Sequence, residues 1–433
     1  MDMIFKDITV VTMNDENPVI KNACVGVKNG KISFIEKEIP KGYDCENVRI
    51  YNGTNKVLMP GLINAHTHLP MSILRGVCDD ADLHTWLFDN IFPREAKLDG
   101  KCCYVGTVLS LAEMIASGTT SSSDMYYFCE DIVEAINESK FKINISRGTT
   151  MPEGVFDRNT LPASLEIQDL YKKFHNMDNG RIKVEIGLHA EYTTNPSVWT
   201  GLLKLAEEMD TAIQVHLSET RFEHNECIKK YGKTPAAIFE EYGVFNRPVV
   251  AAHCTHLTDD DIEILKRHKA TAVHNAVSNL KLSSGIARAY EMHKRGLNVA
   301  IGTDGASSNN SQNMMLEIRT AALVQKLNSP TDMPAYDVLK MATVNGAIAQ
   351  RRENECGKVQ VGMDADLIVF DFDKPHLYPC NNVISNLVYA ASGSDVVMTM
   401  VRGNVLYENG VYTTIDMEKV KFELINYVLP KIN

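Results

Sequence analysis

Short runs of apolar and β-branched residues recur along most of the chain, separated by segments with apolar residues at helical spacing. Between residues 119 and 304 the apolar runs are TTSSSDM, KINISRG, VEIGLHA, AIQVHLSE, PVVAAHC, ATAVHNA and NVAIGTD. The helix-like segments include YVGTVLSLAEMIASG, PSVWTGLLKLAEEM, TPAAIFEEYG and DDDIEILKRH. Strands that alternate with helices predict parallel βα units.

The number of these units indicates the architecture. Roughly eight units in about 300 residues predict an α/β fold of the (β/α)8 type, a TIM barrel. A doubly wound open sheet is the alternative, and it would normally carry a glycine-rich dinucleotide-binding turn after its first strand. The sequence has no such turn near its start, so the barrel is favoured.

The two ends of the chain show a different pattern, in which short strands are joined by turns. The runs DITVVTM, ACVGVKNGKISFIE and KVLMPG lie near the start, and ADLIVFD, VVMTMVRGNVLYENG and VYTTI lie near the end. We predict that both ends pair into one small β-sandwich domain. It comprises residues 1–57 and 360–433, ends in a helix, and flanks a (β/α)8 barrel at residues 58–359.

Composition and charge narrow the class of protein. Of 433 residues, 44% are hydrophobic and 23% are charged, a typical globular balance. The net charge of −11 argues against a nucleic-acid-binding protein. No apolar run approaches the roughly 18 residues that span a bilayer, so we expect no membrane partner. The start lacks a secretory signal, and the ten Cys residues include no C-x-x-C pair. We therefore expect a cytoplasmic protein with reduced thiols.

Ionisable residues recur where the predicted barrel strands end. They are His66 and His68, His189, His216 and Glu219, His253, and Asp304. Because the active sites of TIM barrels lie at the carboxyl ends of the strands, we expect these side chains to converge.

Four of these residues are predicted to bind a metal. His66 and His68 are two positions apart, so on a strand both side chains point to the same face. With His216 and Asp304 they supply three imidazoles and one carboxylate, which suit Zn²⁺ or Fe²⁺ and leave a position for water. We predict one divalent ion, zinc first and iron as the alternative. Asp304 has a second interpretation as a helix N-cap, and His216 has one as a buried core histidine.

Glu219, His253 and Asp304 are the predicted catalytic residues. Glu219 lies three residues beyond His216, where it can face the metal's water without being a ligand and can transfer protons. The alternative for Glu219 is a solvated loop acid. His253 can hydrogen-bond and orient the same water, whereas we interpret His256 as structural.

The combined motifs resemble those of the amidohydrolase superfamily. PGLINAHTHLPM, VHLSE, HC after AA, and GTDGASSNN look like its cytosine-deaminase-like, single-metal branch, and IAQRRENECGKVQVGMDADLIVFD resembles the return from barrel to β domain. Within that branch, WL and PREAKL resemble the first-strand loop of the 5-methylthioadenosine/S-adenosylhomocysteine deaminases. The resemblance implies a homo-oligomeric enzyme that hydrolyses the 6-amino group of an adenosine-type nucleoside, giving the inosine analogue and ammonia.

The resemblance also implies substrate contacts. Glu95 would bind the ribose hydroxyls, Arg147 would lie along the 5′ side, and His189 would contact the purine or ribose. Trp86 belongs to the same first loop as Glu95, and Arg158 matches a second arginine of the family. For both arginines the alternative is an ordinary surface or structural ion pair.

One position departs from the family, and it leaves the substrate open. The family has H-x-P-Y-T after the fourth strand, whereas this chain has HAEYT, so Glu191 replaces a proline. Glu191 would be an exposed loop residue or would reshape the purine side of the pocket. One alternative function is an aminohydrolase or chlorohydrolase of another nitrogen heterocycle, of s-triazine, guanine or pterin type. A non-enzymatic scaffold is the second alternative.

Overall fold

A computed structural model describes residues 2–432, so Met1 and Asn433, the outer limits of the predicted domains, lie outside the described part. The strands are β1 (Met3–Val11), β2 (Val19–Lys28), β3 (Lys31–Glu36), β4 (Arg49–Asn52), β5 (Lys56–Pro60), β6 (Leu62–His68), β7 (Thr119–Tyr126), β8 (Lys142–Thr149), β9 (Ile182–Leu188), β10 (Ile213–Leu217), β11 (Val249–His253), β12 (Thr271–His274), β13 (Asn298–Ile301), β14 (Asp304–Gly305), β15 (Leu367–Asp371), β16 (Val396–Val401), β17 (Asn404–Glu408) and β18 (Val411–Tyr412).

The helices are α1 (Phe92–Glu95), α2 (Gly100–Ala116), α3 (Cys129–Ser139), α4 (Pro162–Phe174), α5 (Met177–Gly180), α6 (Pro196–Glu208), α7 (Arg221–Tyr231), α8 (Pro235–Glu241), α9 (Asp259–Arg267), α10 (Ala276–Lys281), α11 (Ala289–Lys294), α12 (Ala306–Asn309), α13 (Met314–Val324), α14 (Ala335–Met341), α15 (Val344–Ala349), α16 (Val383–Tyr389), α17 (Met417–Glu423) and α18 (Leu429–Ile432). Short 3-10 segments lie at Leu69–Leu74, Val244–Asn246, Gln325–Leu327, Pro375–Leu377 and Gly393–Asp395, and π-helical segments at Thr85–Ile91 and Leu424–Val428.

Strands β6 to β14 form a closed parallel barrel. Each of β6 to β12 pairs with the next, and β13 and β14 are two halves of the last barrel strand. The first half pairs with β12 and the second with β6, so the sheet closes on itself. Between the halves lies Gly302, where an added Cβ would sit 2.8 Å from the backbone nitrogen of His66. The predicted TIM barrel is confirmed, and its last strand approaches the first closely because a glycine stands there.

The apolar core lies between the barrel strands and the surrounding helices. Trp199 of α6, Phe239 of α8 and Ile262 of α9 are buried in one cluster with Ile213 and Val299 of the strands. The apolar residues at helical spacing therefore face the sheet, as the sequence pattern predicts. The polar side chains predicted for the active site lie at the carboxyl ends of the strands, outside this apolar packing. In residues 2–432, no helix has the length and apolar character that crossing a membrane requires.

The two chain ends form a second, mixed sheet. Its order is β18-β17-β16-β15-β5-β1-β2-β3, with β4 beside β1. The returning strand β15 pairs antiparallel with β5, which leads into the barrel. Two tight hairpins meet in this sheet, and an added Cβ on Gly30 of one would lie 2.8 Å from the carbonyl oxygen of Arg402 in the other. The small β domain built from both ends is confirmed, while its boundaries stay a prediction.

The last helices leave the small sheet and pack on the barrel. The Tyr427 hydroxyl donates a hydrogen bond to Asp99, the N-cap of α2, at 2.6 Å. Lys101 of α2 forms an ion pair with Glu423 at 2.5 Å. The C-terminal helix that the sequence places with the small domain thus contacts the barrel.

A buried ion cluster joins the barrel to the return segment. Lys142, the first residue of β8, lies 3.0 Å from Asp364 and 2.5 Å from Asp366, and its side chain is 1% exposed. Burial alone would lower the pKa of Lys142, but the charge of Asp366 outweighs it and raises that pKa. The ammonium group therefore neutralises two carboxylates that have little access to water.

Removing this ammonium group should destabilise the fold. Lys142→Met leaves the buried carboxylate of Asp366 without its cation, whereas Asp364 keeps Lys31 at 2.9 Å, so the free energy of unfolding should fall by about 3–5 kcal/mol. The denaturant midpoint of unfolding measures this loss. The control is Lys229→Ala, whose ammonium pairs with Glu226 on the surface and should contribute less than about 0.5 kcal/mol. Equal midpoints for the two variants would contradict a structural role for the cluster.

Candidate active site

Unusual backbone conformations mark the strand ends that carry the polar side chains. The φ angles of Ser218, His253 and Asp304 are 49°, 69° and 65°, all in the left-handed region. Residues other than glycine rarely adopt this region, and such strain is concentrated at functional sites. Ser218 directly follows β10, His253 is the last residue of β11, and Asp304 is the first residue of β14.

His68 and His216 point unprotonated ring nitrogens at each other. Nδ1 of His68 donates to the carbonyl oxygen of Met125 at 2.6 Å, and Nδ1 of His216 donates to that of His189 at 2.7 Å. We assign these tautomers from the hydrogen bonds, and they leave both Nε2 atoms with lone pairs. The two Nε2 atoms are 3.2 Å apart. Burial holds the pKa of His216 well below its usual value, so this ring stays neutral and its Nε2 keeps a lone pair.

His66 and Asp304 complete a set of converging donor atoms. Asp304 Oδ1 lies 3.6 Å from Nε2 of His66 and 3.3 Å from Nε2 of His68. Within residues 2–432, Nε2 of His66 has no hydrogen-bond partner. The ligand atoms of the three histidines His66, His68 and His216 lie within 4.8 Å of one another. Three imidazole nitrogens and a carboxylate oxygen fit a divalent cation such as Zn²⁺ or Fe²⁺.

The protonation states also suit a cation. Burial lowers the pKa of His66 to about 4, so this ring is neutral. Burial alone would raise the pKa of Asp304, but its contacts with His66 and His68 outweigh this and keep it well below the usual range. The carboxylate is therefore ionised and the rings retain their lone pairs.

Asp304 is held in place by hydroxyl groups and does not cap a helix. Ser278 and Ser308 donate to its Oδ2 at 2.7 and 2.8 Å. Helix α12 begins two residues later with Gly305 as its N-cap, which makes no side-chain hydrogen bond. The N-cap interpretation of Asp304 is therefore wrong.

Glu219 and His253 face the same space from neighbouring strands. Glu219 Oε2 lies 3.6 Å from Nε2 of His253, and its Oε1 accepts a hydrogen bond from Ser284 at 3.2 Å. Nδ1 of His253 lies 2.8 Å from Asn279 Oδ1, which fixes the ring. Glu219 is 5% exposed, so it is not a solvated loop acid. Burial raises the pKa of Glu219 to about 7, so its carboxyl can both give and take a proton near neutral pH.

The pocket beside these groups contains three of the residues that the resemblance assigns to the substrate. Trp86, Glu95 and His189 line it together with His68, His216, Glu219, His253 and Asp304. The Tyr126 hydroxyl donates to Glu95 Oε1 at 2.6 Å and holds the carboxyl at the pocket wall. A wider cavity adjoins this pocket and shares Leu83, Leu87, Tyr192 and Leu282 with it.

The two arginines lie in different surroundings. The Arg147 guanidinium lies 4.7 Å from the ring centre of Tyr127, which lines the pocket, and its Nε donates to Glu166 at 2.5 Å. Arg158 instead pairs with Glu208 at 2.8 Å in a separate surface depression. The structure does not bring Arg158 to the pocket, because the loop that carries it packs on α6.

Two residues that support the site were missed by the sequence interpretation. Asp124, at the end of β7, accepts hydrogen bonds from the Thr67 hydroxyl at 2.9 Å and the Leu69 amide at 2.6 Å, on both sides of His68. The strand-end rule applied to the run TTSSSDM would have identified Asp124. Asn279 lies inside α10, a position for which that rule gives no signal.

Comparison with known proteins gives a consistent result. Residues 57–406 match the amidohydrolase family, and residues 2–48 match the BsNagA composite domain. The chain is 42% identical over 426 residues, 98% of both chains, to a 5-methylthioadenosine/S-adenosylhomocysteine deaminase of Thermoanaerobacter pseudethanolicus. It is 40% identical to a 5′-deoxyadenosine deaminase of Methanosarcina acetivorans, over 97% of this chain and 96% of that one. The structure of an adenosine deaminase from Xanthomonas campestris with bound zinc has a TM-score of 0.92 and 29% identity, covering 100% of this chain and 98% of the other.

Because these donor atoms would share one cation, we expect Asp304→Ala to lower the metal content of the purified protein. The loss of affinity should be at least the roughly 10–100-fold that follows removal of a ligand's hydrogen-bond partner. Elemental analysis after dialysis against a metal buffer measures it, and the thermal unfolding midpoint checks the fold. His256→Asn is the control, because His256 bonds the Ser284 carbonyl and lies outside the donor set. Full metal retention by Asp304→Ala would mean that the ligand set is wrong.

Proposed function

The chain belongs to the amidohydrolase family, and from that premise we propose that it is a metal-dependent deaminase of adenosine-type nucleosides. Its substrates are 5-methylthioadenosine, S-adenosylhomocysteine and adenosine, whose 6-amino group water replaces to give the inosine analogue and ammonia. The names of the relatives from T. pseudethanolicus and M. acetivorans support this substrate class. The observation that carries the proposal is the buried carboxyl of Glu219 beside the converging donor atoms in one pocket.

The family is metal-dependent, and the donor set of His66, His68, His216 and Asp304 fits one divalent ion. When bound, such an ion supplies a water nucleophile at neutral pH by lowering the pKa of that water. We propose zinc, because the similar X. campestris structure holds zinc. Iron is the alternative that the same donor types allow.

Glu219 moves the protons in the proposed reaction. It takes one proton from the attacking water and delivers it to the ring nitrogen beside the aminated carbon, which makes that carbon electrophilic. After the water oxygen has bonded to this carbon, Glu219 carries the remaining hydroxyl proton to the amino group. The carbon–nitrogen bond then breaks, ammonia leaves, and Glu219 returns to its starting state. A pKa of about 7 suits both directions of transfer.

The other pocket residues orient the reactants. His253, fixed by Asn279, and Asp304 direct the attacking oxygen. Glu95 accepts hydrogen bonds from the ribose hydroxyls. The π-helical segment Thr85–Ile91, which contains Trp86, closes one side of the pocket. His189 contacts the purine or ribose. Arg147, which packs against the ring of Tyr127, lies along the 5′ side of the substrate. A cytoplasmic location and a homo-oligomeric state, both expected from the sequence, remain predictions.

A substrate panel tests the proposed activity. Ammonia release is measured with 5-methylthioadenosine, S-adenosylhomocysteine, adenosine, 2′,3′-dideoxyadenosine, guanine and an aminated s-triazine. We expect turnover of the first three and a lower kcat/KM for the dideoxynucleoside, because it offers Glu95 no hydroxyl donors. Such a hydrogen bond to a charged group contributes about 1.5–3 kcal/mol, or roughly 10–100-fold. Turnover of guanine or the triazine, with no turnover of any adenosine derivative, would contradict the proposed adenosine-type substrate and favour an aminohydrolase of another nitrogen heterocycle.

Removal of the proton carrier should stop turnover without removing the metal. Glu219→Gln keeps the size and a hydrogen-bonding group but cannot shuttle protons, so kcat should fall by at least the roughly 10²–10⁴-fold typical of general acid–base catalysis. Metal content should equal that of the unmodified protein. Glu226→Gln, on the exposed side of α7, is the matched control and should keep full activity. Near-normal turnover by Glu219→Gln would refute its role.

A further inference from the structure

Glu191, which stands where the family has a proline, is buried rather than exposed. It is 2% exposed, and within residues 2–432 neither of its carboxylate oxygens makes a hydrogen bond of normal geometry to a donor group. Its carboxyl contacts the carboxyl of Glu223, which lies on α7. The sequence interpretation of Glu191 as an exposed loop residue is therefore wrong, and a buried carboxyl without a donor requires a physical explanation.

Glu223 holds the backbone that carries Glu219. Its Oε1 accepts from the Ser218 amide at 3.0 Å, and its Oε2 accepts from the amides of Glu219 at 2.9 Å and Thr220 at 3.3 Å. The Thr220 hydroxyl accepts in return from the Glu223 amide, which completes a capping box at the start of α7. Three N–H donors stabilise the ionised form of Glu223, so its contact with Glu191 is favourable only if Glu191 carries a proton.

We infer that protonated Glu191 donates a hydrogen bond to Glu223 and thereby positions Glu219 for proton transfer. The path of contacts runs from the loop after β9, through Glu223, to the amides of Ser218 and Glu219. The inference rests on the proposed function, because it gives Glu219 the proton-transfer role. Glu191 is a positioning residue, since it acts on Glu219 through Glu223.

The charges around the pair agree with one shared proton. Burial first, and then the charge of Glu223, raises the pKa of Glu191 well above its usual value. The other titratable groups that face the pair are Tyr192 on the same loop, Cys227 on α7, Cys254 directly after β11, and, towards the site, Glu219 and His253. Burial raises the pKa of the Cys254 thiol, so it is neutral near pH 7. Burial also raises the pKa of Tyr192 and Cys227, so both stay neutral near pH 7 and neither supplies a second charge. A proline at this position has no donor group and could not hold Glu223.

Two substitutions at Glu191 separate the hydrogen bond from packing. Glu191→Gln keeps an N–H donor towards Glu223, so kcat should stay within about two-fold of the unmodified enzyme. Glu191→Leu keeps similar bulk without a donor, so kcat should fall by roughly 10-fold or more, because Glu223 then holds the Glu219 backbone less firmly. KM should change little in both variants, since no substrate contact is removed. Metal content is measured throughout and should not change.

The pH dependence of unfolding gives a second test that needs only the Gln variant. Because the pKa of Glu191 is raised in the folded state, its neutral form stabilises the fold fully below its usual pKa. This contribution is lost as the pH rises through the raised pKa. As the pH rises from the usual pKa of 4.5, the thermal midpoint of the unmodified protein should therefore lose more, relative to its value below that pH, than the midpoint of Glu191→Gln. Glu226→Gln, on the same helix but exposed, should behave like the unmodified protein.

The outcomes distinguish this inference from the proposed function. If Glu219→Gln is inactive while Glu191→Leu keeps full kcat, the positioning role is wrong and the proposed function stands. If Glu191→Gln loses as much kcat as Glu191→Leu, the donor is not what matters, and the inference is overturned. An identical pH dependence of the thermal midpoint above pH 4.5 in the unmodified protein and Glu191→Gln would show that Glu191 holds no proton for Glu223. If Glu219→Gln remains active, the proton-transfer role of Glu219 fails and the positioning role falls with it, whereas the proposed function fails only if no adenosine derivative is turned over.

Discussion

The rest of the site depends on one contact, in which the Nε2 atoms of His68 and His216 face each other at 3.2 Å. The rings of His68 and His216 cannot turn away, because backbone carbonyls of Met125 and His189 hold their protonated nitrogens. His216 cannot gain a proton easily either, since burial holds its pKa well below the usual value. A cation between the two nitrogens removes the repulsion, and the ionised Asp304 and the unpartnered nitrogen of His66 lie where they can share that cation.

The side chains around this centre are each fixed by a partner from a neighbouring strand or loop. Asp124 holds the backbone around His68, Asn279 holds His253, and Ser284 bonds Glu219. Such fixed dipoles and hydrogen bonds allow charge to move in a reaction without reorganising the surroundings. The contact between Glu191 and Glu223 extends this support by one layer. It also gives the buried Glu191 a hydrogen-bond acceptor.

The periodic part of the structure could be predicted from the sequence, and the irregular part could not. Apolar runs that alternate with helical stretches indicated the barrel. The active sites of such barrels lie at the carboxyl ends of the strands, which pointed to Glu219 and His253. Both predictions depend only on patterns that are local in the sequence. The position of Arg158 depends on how one long loop packs against α6, which no local pattern encodes. The burial of Glu191 depends on Glu223, a residue on a different element. The C-terminal helix contacts Asp99 through a long-range pairing of the same kind.

The central claim is that water adds to the aminated carbon of an adenosine-type ring in this pocket. Turnover of 5-methylthioadenosine in oxygen-18 water, followed by mass spectrometry of the product and a parallel ammonia assay, tests it most directly. The account predicts one oxygen-18 atom bonded to the purine carbon that carried the amino group, in an intact inosine-type nucleoside, with one ammonia released for each product molecule. A product without the isotope, a free purine base, or conversion without ammonia would contradict it.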